Sequence, residues 1–236
     1  MKAHSFCVIG IKSRFPVIIP QVRLKIKVKP KKSHFHGICI SCTVKEGMTV
    51  PEIREYNRAR AVEYARRWAF SRNPLFFDFT GRGGNCTNFV SQCLLAGTCQ
   101  MNFTRDFGWY YLSSDDRAAA WTGVEFFYNF ITDNREGVGD GLGPFGSEVR
   151  GGVLLPGDVI QLGKEDGDYY HTLLVTGYRG RTYLVSAQSD NAFNRPLSSY
   201  SYRRIRYIHI EGFRTDERFV GSCFEDLISG TSLTVQ

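Results

Sequence analysis

Residues 81–97 read GRGGNCTNFVSQCLLAG: a glycine-rich turn, then a cysteine, then an apolar pattern at helical spacing that closes on a glycine. Asn85 suits an N-cap, Cys86 takes the first helical position, and Phe89, Val90, Cys93 and Leu94 recur at spacings that form one buried face. Gly97 is placed to take the left-handed stop. A thiol at a helix N-terminus lies beside the positive end of the helix dipole, which favours thiolate over thiol and makes Cys86 a candidate nucleophile. Cys93, two turns further on nearly the same face, reads as a small core residue.

Outward from this stretch, the chain changes character twice. Residues 1–47 hold ten Lys/Arg against one acid, Glu46, a balance of +9, whereas the remaining residues carry 20 basic and 22 acidic side chains, a balance of −2. Eight of the nine lysines precede residue 48, and the rest of the chain uses arginine apart from Lys164. The positive excess therefore belongs to an N-terminal extension, 1–47, and does not mark the remainder as a nucleic-acid binder. Met48 follows Val-Lys-Glu-Gly, whose codons can hold a ribosome-binding sequence, so translation is expected to begin there. His34, His36, Cys39 and Cys42 lie too close together to wrap a tetrahedral zinc, so neither metal nor cofactor is expected.

The composition, 42% hydrophobic and 14% aromatic over 236 residues, is that of a folded globular chain with one good-sized core. No run approaches the roughly 20 apolar residues of a membrane span, and Lys12, Arg14 and Pro16 break the opening apolar run, so no export signal is read. Seven cysteines, an odd number outside any small disulfide framework, are expected to be reduced thiols.

Beyond the extension, Thr49-Val-Pro-Glu52 reads as a capping box opening a long helix through Phe70, with Tyr56, Ala59, Val62, Ala65 and Trp68 or Ala69 on one face. A helix is expected over 118–132, and the glycine-rich EGVGDGLGPFG (136–146) as a flexible surface loop. Four β-rich runs follow, LLPGDVIQL (154–162), HTLLVTGY (171–178), RTYLVSAQ (181–188) and RYIHIEGF (206–213). Helices first and strands after predict an α+β domain over 48–212, its N-terminal helices packed on a C-terminal antiparallel sheet, with 213–236 as a tail.

A cysteine nucleophile needs a base, and after residue 47 the histidines are His171 and His209. His171 opens a strand and shares a face with Leu173 and Val175, whereas His209 alternates with Ile208 and Ile210 and reads as solvent-facing or structural. If Arg179-Gly180 forms a two-residue hairpin turn, Tyr178 faces Arg181 and, seven residues back, Gln188 faces His171, where its amide could orient the imidazole. A register slip would substitute Ser186 or Asp190.

Taken together with the order of motifs along the chain, residues 53–210 resemble the "putative amidase domain" family within the NlpC-like and CHAP-like branch of the papain superfamily. The resemblance is carried by YNRARAVEYARRWA (56–69), GGNCTNFVSQCLLAG (83–97), WYY (109–111), AWTGV (120–124), PGDVIQ (156–161), HTLLVTG (171–177) and SDNAFNRPL (189–197). It implies a papain-like fold and a cysteine amidase or peptidase, with Cys86 as nucleophile, His171 as base and the Cys86 backbone N–H beside the developing oxyanion. Relatives usually carry Asp where this chain has Asn85, and His where it has Gln188. The substrate implied is a peptide or peptidoglycan, with Trp109, Tyr110, Tyr111 and Trp121 as candidate groove walls. A non-catalytic cell-wall or peptide binding module and a thioester acyltransferase are the alternatives. Such a substrate would lie at the cell wall or outside the cell, whereas the chain as encoded reads as cytoplasmic, and the oligomeric state stays open.

Overall fold

A computed structural model describes residues 51–216 and 218–233. The basic extension, the His/Cys cluster at 34–42, the Met48 start and Thr49 lie outside the described residues.

The elements run β1 (Glu52–Arg54), α1 (Arg58–Trp68), α2 (Cys86–Thr98), α3 (Ala119–Thr122), α4 (Val124–Asp133), β2 (Gly143–Val149), β3 (Val159–Gly163), β4 (Tyr169–Arg179), β5 (Thr182–Ala187), β6 (Ala192–Pro196), β7 (Arg204–Thr215) and α5 (Phe224–Ser229). The strands form one antiparallel sheet in the order β1-β7-β3-β4-β5-β6, with β2 on the other edge of β7. The α+β arrangement with an antiparallel sheet is what the sequence predicts, but β1 precedes the helices and α5 follows the strands.

Strand alternation divides the core in two. Val159, Leu174, Ile208 and Ile210 face the helices and pack with Phe89, Val90 and Leu94 of α2, while Ile160, Leu162, Leu173, Val175 and Val185 form a second cluster on the opposite face. All 13 residues of α2 are buried, the mark of a helix enclosed on every side. Its polar residues accordingly find partners: Tyr64 Oη donates to Gln92 Oε1 at 2.8 Å, and Ser91 Oγ donates to the Trp121 carbonyl at 2.9 Å.

Several local expectations are corrected. The Thr49–Glu52 signal does not open a helix: Glu52–Arg54 pairs with β7, and α1 begins after Asn57, whose side chain accepts from Arg60 N. The buried face of α1 is therefore Ala61, Tyr64, Ala65 and Trp68. Nor does α2 stop at Gly97. A Cβ there would meet Tyr56 Cε2 at 2.3 Å and the Asn57 carbonyl at 2.8 Å, so the glycine serves close packing against α1, and Cys99 takes the left-handed turn at φ 52°. The helix expected over 118–132 is broken at Gly123, and the last four residues of the glycine-rich 136–146 stretch open strand β2.

Order continues past residue 212 among the described residues. β7 continues to Thr215, and Cys223 and Leu227 are buried against the helices. Cys99 and Cys223 form a disulfide with Cα atoms 5.4 Å apart, joining the C-terminal end of α2 to the residue that precedes α5. These two cysteines are thus not the reduced thiols expected.

Asp158, fully buried, anchors the start of β3. Arg58 Nη1 donates to it at 2.5 Å, His209 Nδ1 lies 2.8 Å away, and the N–H groups of Leu155 and Ile210 donate at 2.8 and 2.9 Å. His209 is accordingly a structural partner. A buried carboxylate with this many donors is compensated, and α1 is pinned to the sheet through it.

Candidate active site

Three segments meet at the N-terminal end of α2: the turn 81–85 that leads into it, the start of β4 and the turn between β5 and β6. Gly81, Gly83 and Gly84 all have positive φ, which lets the chain fold back sharply before the helix. At Gly84 (φ 99°) an added Cβ would lie 3.4 Å from Ser189 Oγ, and the next N–H, that of Asn85, donates to that same hydroxyl at 3.1 Å. The chain therefore enters α2 clamped against the β5–β6 turn.

Cys86 is the first residue of α2, as expected, and its Sγ lies 3.9 Å from Thr87 Oγ1. The helix begins without a side-chain cap, so the N–H groups of Cys86, Thr87 and Asn88 have no acceptor among the described residues. Asn85 occupies the N-cap position but does not perform the capping expected of it. Its Oδ1 accepts from Phe79 N at 3.1 Å and from Asn88 Nδ2 at 2.8 Å, and its Nδ2 donates to Gln188 Oε1 at 2.5 Å.

His171 stands at the start of β4. Thr172, the next residue, shares a hydrogen bond with Thr87, Oγ1 to Oγ1, at 2.8 Å, so the residues following Cys86 and His171 are tied together. Thr172 faces α2, and His171 lies opposite Leu162 on the alternate face. The imidazole sits beside Tyr200, ring centroids 5.9 Å apart, and beside Tyr170 at 6.4 Å. Burial pushes its pKa down to about 4; the negative charge of Asp190 opposes that shift and the positive charge of Arg195 adds to it. At neutral pH the ring is uncharged and carries a lone pair. In this conformation no hydrogen bond joins it to the Cys86 sulfur.

The hairpin register differs from the expected one. The turn is Gly180-Arg181, with Arg179 opposite Thr182, and a bulge between Val175 and Gly177 then puts Leu174 opposite Ser186. Continued two residues further, this register sets Gln188 level with Thr172 and not with His171. Gln188 Nε2 donates to the carbonyls of Trp68 and Ser71 at 2.7 and 2.8 Å, and its Oε1 accepts from Asn85. None of its hydrogen bonds goes to His171. Ser186 Oγ donates to the Ala192 carbonyl at 2.7 Å and closes the β5–β6 turn. Asp190, exposed on that turn, is the carboxylate whose charge acts on His171.

The aromatic groove is corrected as well. Trp109 and Trp121 are fully buried, 4.8 Å apart, with their indole N–H groups donating to Ser91 Oγ and Asn88 Oδ1 at 3.0 and 2.8 Å. Tyr111 is buried with them, and only Tyr110 is partly exposed. The aromatic residues that do adjoin His171 are Tyr170 and Tyr200, with the Arg195 guanidinium 4.1 Å over the Tyr200 ring. Tyr200 has no clear sequence signal, because it comes from an irregular segment after β6. Cys93 is buried in the core, and burial raises its thiol pKa well above the usual range, so it is inert as a nucleophile.

The family model described as "Putative amidase domain" matches residues 55–210, a stretch that holds Cys86, His171 and the turn between β5 and β6. The chain belongs to this family. The amidase description indicates a hydrolase. The family's segment contains α1 to α4 and β2 to β6 whole, whereas α5 and Cys223, the disulfide partner of Cys99, fall after it. Among curated proteins the chain is similar to the uncharacterized protein YhbB of Bacillus subtilis (strain 168), 33% identical over 173 residues, which cover 69% of this chain and 53% of that protein. The chain thus spans about half the length of that relative. No solved structure matches.

Proposed function

We propose that this amidase-family chain is a cysteine amidase or peptidase of the papain-like, NlpC-like and CHAP-like kind, with Cys86 as nucleophile and His171 as base. The observation that carries the reading is that, inside the family's matched segment, the residue after a thiol on an uncapped helix start is hydrogen-bonded to the residue after a neutral buried imidazole.

The imidazole takes the Cys86 proton, and the sulfur attacks the amide carbonyl, forming a C–S bond. The N–H groups at the start of α2 receive the negative charge that develops on the carbonyl oxygen. Imidazolium then gives its proton to the leaving amine as the C–N bond breaks, leaving a thioester. Water, deprotonated by His171, attacks the thioester; a carboxylic acid leaves and the thiol is restored. The approaching thiolate is itself an anion and raises the affinity of the buried ring for the proton. No hydrogen bond joins the pair in the described conformation, and catalytic hydrogen bonds commonly tighten only once substrate is bound. Asp190 takes the orienting role first assigned to Gln188, because its charge acts on the ring and the Gln188 amide is committed elsewhere.

The resemblance supports peptidoglycan stem peptides, or their amide bond to sugar, as substrate. Incubation with muropeptides and an iodoacetamide probe tests both parts. Cys86 is expected to take the label and Cys86→Ala to lose hydrolysis, whereas hydrolysis retained in that variant sinks the nucleophile.

A further inference from the structure

Asn85 and Gln188, each 1% exposed, lie at the centre of a polar network that ties the start of α2 to the end of α1, to Phe79 and to Trp121 of α3. Asn85 donates to Gln188 and accepts from Phe79 N and Asn88 Nδ2; Asn88 Oδ1 in turn accepts from Trp121 Nε1; Gln188 donates both amide hydrogens, to Trp68 O and Ser71 O. Both hydrogens of Gln188 and its oxygen are used, and the Asn85 carboxamide is fixed from both ends. An asparagine at an N-cap ordinarily turns its oxygen onto the N–H groups of its own helix. Here that oxygen is held on Phe79 and Asn88, and the amide nitrogen is held on Gln188.

We propose that Gln188 is a positioning residue for Cys86: it draws the Asn85 side chain away from α2 and so withholds the cap, leaving the first-turn N–H groups open to the oxygen of a reacting carbonyl. The proposal rests on the reading of Cys86 as nucleophile and differs from the role first expected of Gln188, which was to orient His171. Without Gln188, the Asn85 amide nitrogen loses its acceptor, and the oxygen, then held only by Phe79 N and the Asn88 side chain, can exchange those two bonds for the N–H groups of its own helix. The helix start then satisfies itself, and a developing oxyanion finds its donors occupied.

Two reagents separate this role from general loosening. p-Nitrophenyl acetate acylates a thiol through a tetrahedral oxyanion, whereas iodoacetamide alkylates it by displacement and forms none. In the full chain, with the modified cysteine mapped by peptide mass spectrometry, Gln188→Ala is expected to slow Cys86 acylation by about tenfold or more while alkylation falls much less. A purely structural role would slow or speed both alike and expose Cys93 to label. Gln188→His, whose neutral ring offers one acceptor and one donor, is expected to keep most of the acylation rate.

A double-mutant cycle then locates the partner. In an Asn85→Gly background, where no side chain can swing onto the helix, Gln188→Ala should leave the acylation-to-alkylation ratio unchanged. If the full effect of Gln188→Ala persists there, or vanishes instead in a His171→Ala background, the proposal is overturned. Should Gln188→Ala not fold, the same ratio in Gln188→His and Asn85→Gly decides: a tenfold drop in the histidine variant rejects the proposal. An unmodified chain that acylates at Cys86 with a ratio insensitive to Gln188→Ala overturns this inference alone. An unmodified chain whose Cys86 takes up neither reagent overturns the nucleophile as well.

Discussion

Thr87 and Thr172 share a hydrogen bond of 2.8 Å between their hydroxyls, across 85 residues of sequence, and each directly follows one of the two residues proposed to carry the chemistry. Gln161 Nε2 also donates to Thr172 Oγ1, at 3.2 Å, so the pair is itself held by β3. Thr87→Val keeps the shape and removes the hydroxyl, leaving Thr172 one partner short. A loss of about 1 kcal/mol in urea unfolding is expected, with a fall in turnover larger than that stability change explains. Unchanged turnover would mean that the corner is not aligned through this bond.

Cys86 and Cys93 are both unpaired cysteines in α2, yet their expected behaviour is opposite. Cys86→Ala should abolish acylation with little change in melting temperature, because the sulfur lies at a helix end outside the hydrophobic clusters. Cys93→Ala should spare turnover and cost about 1–2 kcal/mol through lost packing. Faster alkylation of Cys93 than of Cys86 in the native chain would reverse the assignment.

His171 links stability to pH. Its pKa is pushed down in the folded state, to about 4 from the ordinary 6.5, so the unfolded chain binds a proton more readily. Its contribution is complete above pH 6.5 and is lost as pH falls through about 4, up to about 3 kcal/mol from this one group. His171→Gln should flatten the dependence of unfolding free energy on pH in that window. Equal slopes in the two proteins would show that the ring is not buried uncharged.

Cys99 and Cys223 close a loop of 124 residues, and the bond holds α5 against α2. Peptide mapping without reductant should recover the two cysteines as a linked pair, and Cys223→Ser should lower stability by about 2–4 kcal/mol. Recovery of both as free thiols from protein purified under oxidising conditions would remove the bond.

Much of the fold was legible locally. Cys86 at a helix start, the four strand runs and the helices-then-strands order follow from capping, periodicity and turn residues, which act over a few positions. β1, β2 and β6 were missed because a three-residue strand, a glycine-rich strand and an edge strand carry weak patterns, and pairing with a neighbour forms them. Long-range relationships were not legible. Gly97 looked like a helix stop until the ring of Tyr56 was found against it, and Trp109 and Trp121 looked like groove walls until each indole found a partner inside the core.

Gln188 shows the division most clearly. Hairpin arithmetic sets it against His171, but the turn lies at Gly180-Arg181 and a bulge in β4 between Val175 and Gly177 shifts the ladder again, and its amide bonds to Asn85, Trp68 and Ser71. Asn85 and Gln188 are also the two places where the sequence departs from the pattern it resembles, and the structure makes them one contact. By itself the sequence determined which residues could do chemistry and which local element each occupies, because residue type and short-range spacing govern both. Tertiary structure alone decided which side chains meet, because the partners of a buried polar group are chosen by strand register and by the need to satisfy every donor and acceptor withdrawn from water.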